Sequence, residues 1–167
     1  MVFEMAIATA DRLRERRLLQ PALRDRKVEV IERKVVEALS DPLPMPKGDG
    51  TQRWARPRFK NRLASLLATT IVEIYGQSRT IRGFLFDAES AREARETLTQ
   101  HVWGFGPKQA SLFLRRVDYC ADLAVLDVHV LDYLQLARGL SLSSSKLGHL
   151  SFYEEIEDTF REIAAEF

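Results

Sequence analysis

The sequence predicts an all-α fold, and three observations carry that prediction. Apolar residues recur at helical spacing in several separate stretches. Glycine, proline and short polar residues fall between those stretches, where helices start and stop. No stretch alternates apolar and polar residues as a half-buried strand does.

The elements follow in order. Residues 3–19 read as a helix, with Phe3, Ile7 and Leu18 among charges and Pro21 as its interruption. "KVEVIERKVVEAL" spaces Val28, Ile31, Val35 and Leu39 along one helical face. "SDPLPMPKGDG", with three prolines and two glycines, reads as a loop and the chain's one hinge. From Phe59 to Tyr75, Leu63, Leu66, Leu67, Thr70, Ile71 and Ile74 make a wide apolar stripe, which predicts a central helix. Asp87 or Ser90 can cap a helix running to about His101. A helix from Pro107 to about Val117 follows a glycine-built turn, and "ADLAVL" is a short apolar connection. Asp127 stands where an N-cap stands, ahead of Val128, Val130, Leu131 and Leu134, and Gly139 reads as that helix's C-terminal stop. "SLSSSKLGHL" is a loop before a last amphipathic helix over about residues 152–163.

The glycine turn, "VWGFGPKQAS", bears most directly on function. Gly104 and Gly106 permit positive φ, and Pro107 suits the first helical position. The amides of Gly104, Gly106 and Lys108 then point outward from a helix N-terminus, a place that attracts a phosphate. With a helix on either side, the unit is a helix–hairpin–helix. The same residues match G-x-G-x-x-A, but a dinucleotide site needs a strand before the turn, and "AREARETLTQHV" is charged and helical. A purely structural turn between two helices is the other reading.

Lys108 falls in the first turn of its helix, where the macrodipole disfavours positive charge and so favours the neutral, nucleophilic amine. Most lysines so placed simply face solvent. Asp127 lies 19 residues downstream, after one helix and the short connection, a layout that returns a second helix N-terminus toward the first. An amine and a carboxylate sharing a cleft suit attack at a sugar C1′, with the carboxylate stabilising oxocarbenium charge and the amine forming a Schiff base. Asp127 can also be a plain N-cap, or both.

Composition bounds the rest. At 167 residues the expectation is one domain, with N-terminal helices and the Pro/Gly loop over 1–50 and the hairpin-bearing helices over 51–167. Cys120 is the single cysteine, which excludes a disulfide framework, a cysteine zinc site and an iron–sulfur cluster. No apolar run approaches a membrane span, and the arginine-bearing N-terminus lacks the apolar core of a signal peptide, so a cytoplasmic protein is expected. Residues 1–62 hold 15 Lys/Arg against 9 Asp/Glu, whereas 63–167 hold 10 against 15. The densest stretch, "RWARPRFKNR", sets Arg53, Arg56, Arg58, Lys60 and Arg62 beside Trp54 and Phe59. It reads either as a solvated loop and helix start or as a phosphate-contacting edge with aromatic anchors.

The segment "VWGFGPKQASLFLRRVDYCADLAVLDVHVLDYL" resembles the signature of the HhH-GPD superfamily of DNA glycosylases, and most of all the archaeal-type 8-oxoguanine DNA glycosylase/AP lyases. Gly104, Phe105, Gly106, Lys108, Ala110, Ser111, Phe113, Leu114 and Arg115 match the hairpin part, and Asp127, His129 and Val130 the D-x-H-[IV] part. A fainter likeness extends over Arg58 to Gly76. The resemblance implies an all-α, helix–hairpin–helix fold and removal of an oxidised or otherwise modified purine, followed by β-elimination. It implies Lys108 as the Schiff-base nucleophile, Asp127 as the catalytic carboxylate, and Gly104 and Gly106 as the holders of a DNA phosphate. Arg56, Arg58, Lys60 and Arg62 would add phosphate contacts. His129 would order a helix start rather than react. No cofactor is required, but a monovalent cation on the Val102 carbonyl is implied as a candidate. The partner is double-stranded DNA with the damaged base flipped out. The chain reads as truncated against the family, whose further aromatic-rich helix and tail help to form the base pocket. A partner protein completing that pocket is therefore one expectation. The competing function is a non-catalytic DNA-binding subunit of a repair or defence assembly.

Overall fold

The computed structural model describes residues 3–46, 50–77, 79–139 and 142–166. Among them are eight α-helices, two short strands and two 3-10 turns. The chain forms two compact units, Met1–Thr80 and Ile81–Phe167.

The first unit holds α1 (Phe3–Glu15), α2 (Val28–Ala38), β1 (Leu43–Pro46), β2 (Gln52–Ala55) and α3 (Lys60–Gly76). The α1 helix stops short of residue 19 because Arg17 turns left-handed at φ 55°, and the Leu18 amide then donates to the Leu13 carbonyl. That reversal closes the helix and drops Leu18 into the core. In α2 the expected stripe is buried through Ile31, Val35 and Leu39. In α3 the deepest positions are Ala64 and Ala68, with Ile71 and Ile74, while Leu63 and Leu67 are only partly covered. Small residues there let α2 and α3 approach closely.

The absence of strands is corrected by β1 and β2, which pair antiparallel with Leu43 opposite Ala55 and Met45 opposite Arg53. The stretch read as a loop and hinge is thus partly a strand, with Leu43 and Met45 fully buried. Pro44 and Pro46 alternate with them. A proline cannot donate to a ladder, yet an edge strand tolerates it, and both strands of a two-stranded sheet are edges. Lys47, Gly48 and Asp49 lie outside the described residues.

The second unit holds α4 (Ile81–Asp87), α5 (Ala91–His101), α6 (Pro107–Arg116), α7 (Val128–Arg138) and α8 (Leu150–Ala164). Seven residues are too few to repeat a stripe, so the sequence does not announce α4. Ser90 caps α5, its hydroxyl accepting from the Glu93 amide at 3.1 Å. Gly139 ends α7 at φ 64°. The loop read over 140–149 contains a 3-10 turn, Ser144–Gly148. Leu126, Leu131, Leu134, Tyr153, Ile156 and Ile163 form a core between α7, α8 and the connection before α7.

Candidate active site

The turn from α5 to α6 is built as its residues dictate. Val102 ends α5, and its carbonyl accepts the Phe105 amide at 2.9 Å. Gly104 sits at φ 91°, which an L side chain rarely adopts. Gly106 does not: its φ is −97°, so the positive φ that glycine permits there is not used. Gly106 is instead the extended N-cap of α6, where glycine is tolerated. Its amide donates to Gln109 Oε1 at 3.2 Å, so this group already has a partner. The Gly104 and Lys108 amides find no acceptor among the described residues. Pro107 takes the first helical position and is buried.

Lys108 follows in the first turn of α6. Asp127 is the N-cap of α7, its Oδ1 accepting from the amides of His129 at 3.0 Å and Val130 at 3.1 Å. The other oxygen, Oδ2, lies 3.8 Å from Lys108 Nζ. The two side chains are 43% and 33% exposed, so the pair stands open to solvent. The amine and the carboxylate therefore meet, each at a helix N-terminus. The Val130 amide, then the Lys108 charge and the His129 amide, hold the Asp127 carboxyl below the usual carboxylate range. His129 contributes to the cap through its backbone N–H, and its imidazole is exposed.

Val102 is buried, and its carbonyl spends one lone pair on Phe105. One lone pair remains, so a cation would find a single ligand in this residue. No cluster of three or more His, Cys, Asp or Glu side chains suited to a metal occurs among the described residues.

The basic stretch lies in the first unit, over β2 and the start of α3. Arg56 Nε donates to the Ser40 carbonyl and Lys60 Nζ to the Ser40 hydroxyl, both at 2.9 Å. Arg58 and Arg62 are exposed, and neither has an ion pair among the described residues. Trp54 and Phe59 are exposed beside them.

Sequence reasoning missed a buried polar network in the second unit. Arg95 is fully buried. Its Nη1 donates to Glu157 Oε1 at 3.1 Å and to Ser111 Oγ at 3.3 Å, and its Nη2 to Glu157 Oε2 at 2.9 Å and Glu154 Oε1 at 2.8 Å. The guanidinium lies over the Tyr153 ring, 5.2 Å from its centroid. Burial alone would lower the Arg95 pKa, but the two carboxylates outweigh it and hold the residue charged. The signal was present: Arg95 and Glu157 are opposite charges on the apolar faces of two amphipathic helices.

The hairpin and the facing helix N-terminus define a helix–hairpin–helix chain with a lysine–carboxylate pair at its turn. A family model described as 8-oxoguanine DNA glycosylase matches residues 54–167, and the chain belongs to that family. The chain is 38% identical over 109 residues to the 8-oxoguanine DNA glycosylase/AP lyase of Thermoplasma volcanium, covering 64% of this chain and 49% of that protein. It is 32% identical over 108 residues to the protein of the same description from Saccharolobus solfataricus, covering 65% and 51%. The matched part thus spans about half the length of these curated relatives. No solved structure matches the chain. No helix among the described residues is long and apolar enough to cross a membrane.

Proposed function

We propose that the chain is a DNA glycosylase/AP lyase that removes an oxidised purine of the 8-oxoguanine kind. The observation that carries this reading is the 3.8 Å approach of Lys108 Nζ to Asp127 Oδ2 at two helix N-termini. Family membership and the names of the relatives supply the substrate class. The amides of Gly104 and Lys108 cradle a DNA phosphate. Gly106 lets the backbone come close to it, and Arg56, Arg58, Lys60 and Arg62 add charge. The target nucleotide is flipped out of the stack. The Lys108 ammonium gives its proton to solvent water, and Asp127 stays ionised and faces the positive charge that develops on the sugar. The Lys108 amine bonds to C1′ as the bond to the base breaks, the electron pair leaving with the base. Ring opening gives the imine, loss of a C2′ proton breaks the C3′–O bond, and water releases Lys108. A monovalent cation on the Val102 carbonyl would steady the turn. The work is done where the DNA is, in the cytoplasm, and at the nucleoid if the cell is prokaryotic.

Borohydride trapping on a panel of modified duplexes tests this reading. The wild type should be trapped on the 8-oxoguanine duplex. Lys108→Gln should abolish trapping while duplex binding stays near the wild-type value, because the amide turn survives. Undiminished trapping by Lys108→Gln overturns the assignment.

A further inference from the structure

Three side chains of α8 recur at one helical spacing: Tyr153, Glu157 and Arg161. At this spacing they lie one above another on a single face. All three bind the extended segment that leads into Asp127. Arg161 Nη2 donates to the Asp122 carbonyl at 2.7 Å. Glu157 Oε1 accepts the Ala124 amide at 2.7 Å. The Tyr153 hydroxyl donates to the Ala124 carbonyl at 2.9 Å and accepts the Leu126 amide at 2.8 Å. The backbone from Asp122 to Leu126 is thus gripped at four points and delivers Asp127 as the next residue.

The same stripe reaches the lysine's helix. Glu157 is bidentate to Arg95, and Arg95 donates to Ser111, which is buried on α6 one turn beyond Lys108. One network therefore fixes both ends of the amine–carboxylate pair. The Asp127 carboxylate is also held by the His129 and Val130 amides, whereas the Lys108 side chain is 43% exposed.

We propose that the Tyr153–Glu157–Arg161 stripe of α8, tied to α6 through Arg95 and Ser111, sets the position of Asp127 against Lys108. These are positioning residues, and none of them touches the reacting groups. The inference rests on the function proposed above only for its consequence in catalysis. Its structural content is that the register of the Asp127 cap depends on the Tyr153 hydroxyl, 26 residues away in sequence.

Tyr153→Phe tests it, because it removes both hydroxyl bonds and keeps the ring under Arg95. Two measurements are made on the full chain. Hydrogen exchange followed by NMR should quicken at His129 and Val130, whose amides bind Asp127, and at Leu126, while amides within α5 keep wild-type protection. Borohydride-trapping rates on an 8-oxoguanine duplex are compared in a double-mutant cycle with Asp127→Asn. Tyr153→Phe should slow trapping by roughly 10–100-fold in the wild-type background. In the Asp127→Asn background it should add little, because the group it positions is gone. Losses that simply multiply, or unchanged exchange at His129 and Val130, overturn the proposal. If the wild type is not trapped, the glycosylase reading fails while the exchange measurement still decides the positioning. Should Tyr153→Phe not fold, Arg161→Gln carries the same measurements, since its side chain is 38% exposed and lies at the outer end of the stripe.

Discussion

Replacing Glu157 by Gln places the largest calculable strain on the second unit. Oε1 of Glu157 accepts two donors, Arg95 Nη1 and the Ala124 amide, and Oε2 accepts Arg95 Nη2. A glutamine offers only one oxygen. In either orientation its NH2 faces a donor, so at least one charge-assisted bond is lost, worth about 1.5–3 kcal/mol. The fully buried Arg95 then keeps only Glu154 as a carboxylate partner, and that side chain is 29% exposed. Breaking one side of a buried ion pair costs about 3–5 kcal/mol in all. For a chain of this length melting as one transition, each kcal/mol moves Tm by about 2–4 °C. Glu157→Gln should therefore lower Tm by roughly 10 °C, read by circular dichroism and checked by urea denaturation. Arg95→Met should cost less, because Arg92 and Arg161 each lie 3.8 Å from Glu157 and partly replace the lost cation. The double variant should be no worse than Glu157→Gln alone, since the two residues share one interaction. If the two single losses add in the double variant, or if Glu157→Gln melts with the wild type, the network does not hold the unit together as described.

Further expectations concern the site and the basic stretch. Asp127→Asn keeps the oxygen that caps His129 and Val130 but loses the charge facing Lys108. Single-turnover excision should fall by roughly 10²–10³-fold, with little change in melting because Asn is also a good cap. The Asp127 carboxyl is depressed in the folded chain, so its stabilising contribution is present above about pH 3.9, the unfolded value. It is lost as pH falls through the lower folded value, and an NMR titration midpoint at or above that of an unfolded peptide contradicts this. Gly104→Ala, at φ 91°, should cost about 1–2 kcal/mol in a denaturant melt. Gly106→Val should cost only about 0.5–1 kcal/mol, since any residue adopts φ −97° but Val is a poor N-cap and its Cβ meets Gln109 Oε1 at 3.2 Å, and it should weaken duplex binding at low salt. In a salt titration by fluorescence anisotropy, Arg58→Ala and Arg62→Ala should each reduce the log–log slope by roughly 0.9 without altering base preference. A slope that does not change would remove these residues from the DNA contact.

What was legible in the sequence was whatever one or two neighbouring residues decide. Ser90 and Asp127 cap helices, Pro107 opens one and Gly139 closes one, because each satisfies or omits a backbone bond within its own turn. The approach of Lys108 to Asp127 was legible for a related reason: one helix and a short connection leave the chain little choice but to return. The glycines show the limit of such rules. Both permit positive φ, but only Gly104 uses it, because the single bond from Phe105 to Val102 already completes the reversal and leaves Gly106 extended. The β-hairpin was hidden because two residues of burial alternation, Leu43 and Met45, are too few to show a period, and the prolines between them argue against a strand unless it is an edge. The Arg95–Glu157 network escaped for a deeper reason. A charge on an apolar helix face is a misfit by any local rule, and only the opposite misfit on another helix, 62 residues away, turns it into a bond. Read as a pair, the two misfits locate where α5 and α8 must meet. Tyr153, Glu157 and Arg161 then extend that meeting along the segment that carries Asp127. Two residues that disobeyed the helical pattern, Arg95 and Glu157, therefore belong to the network proposed to place the candidate catalytic carboxylate.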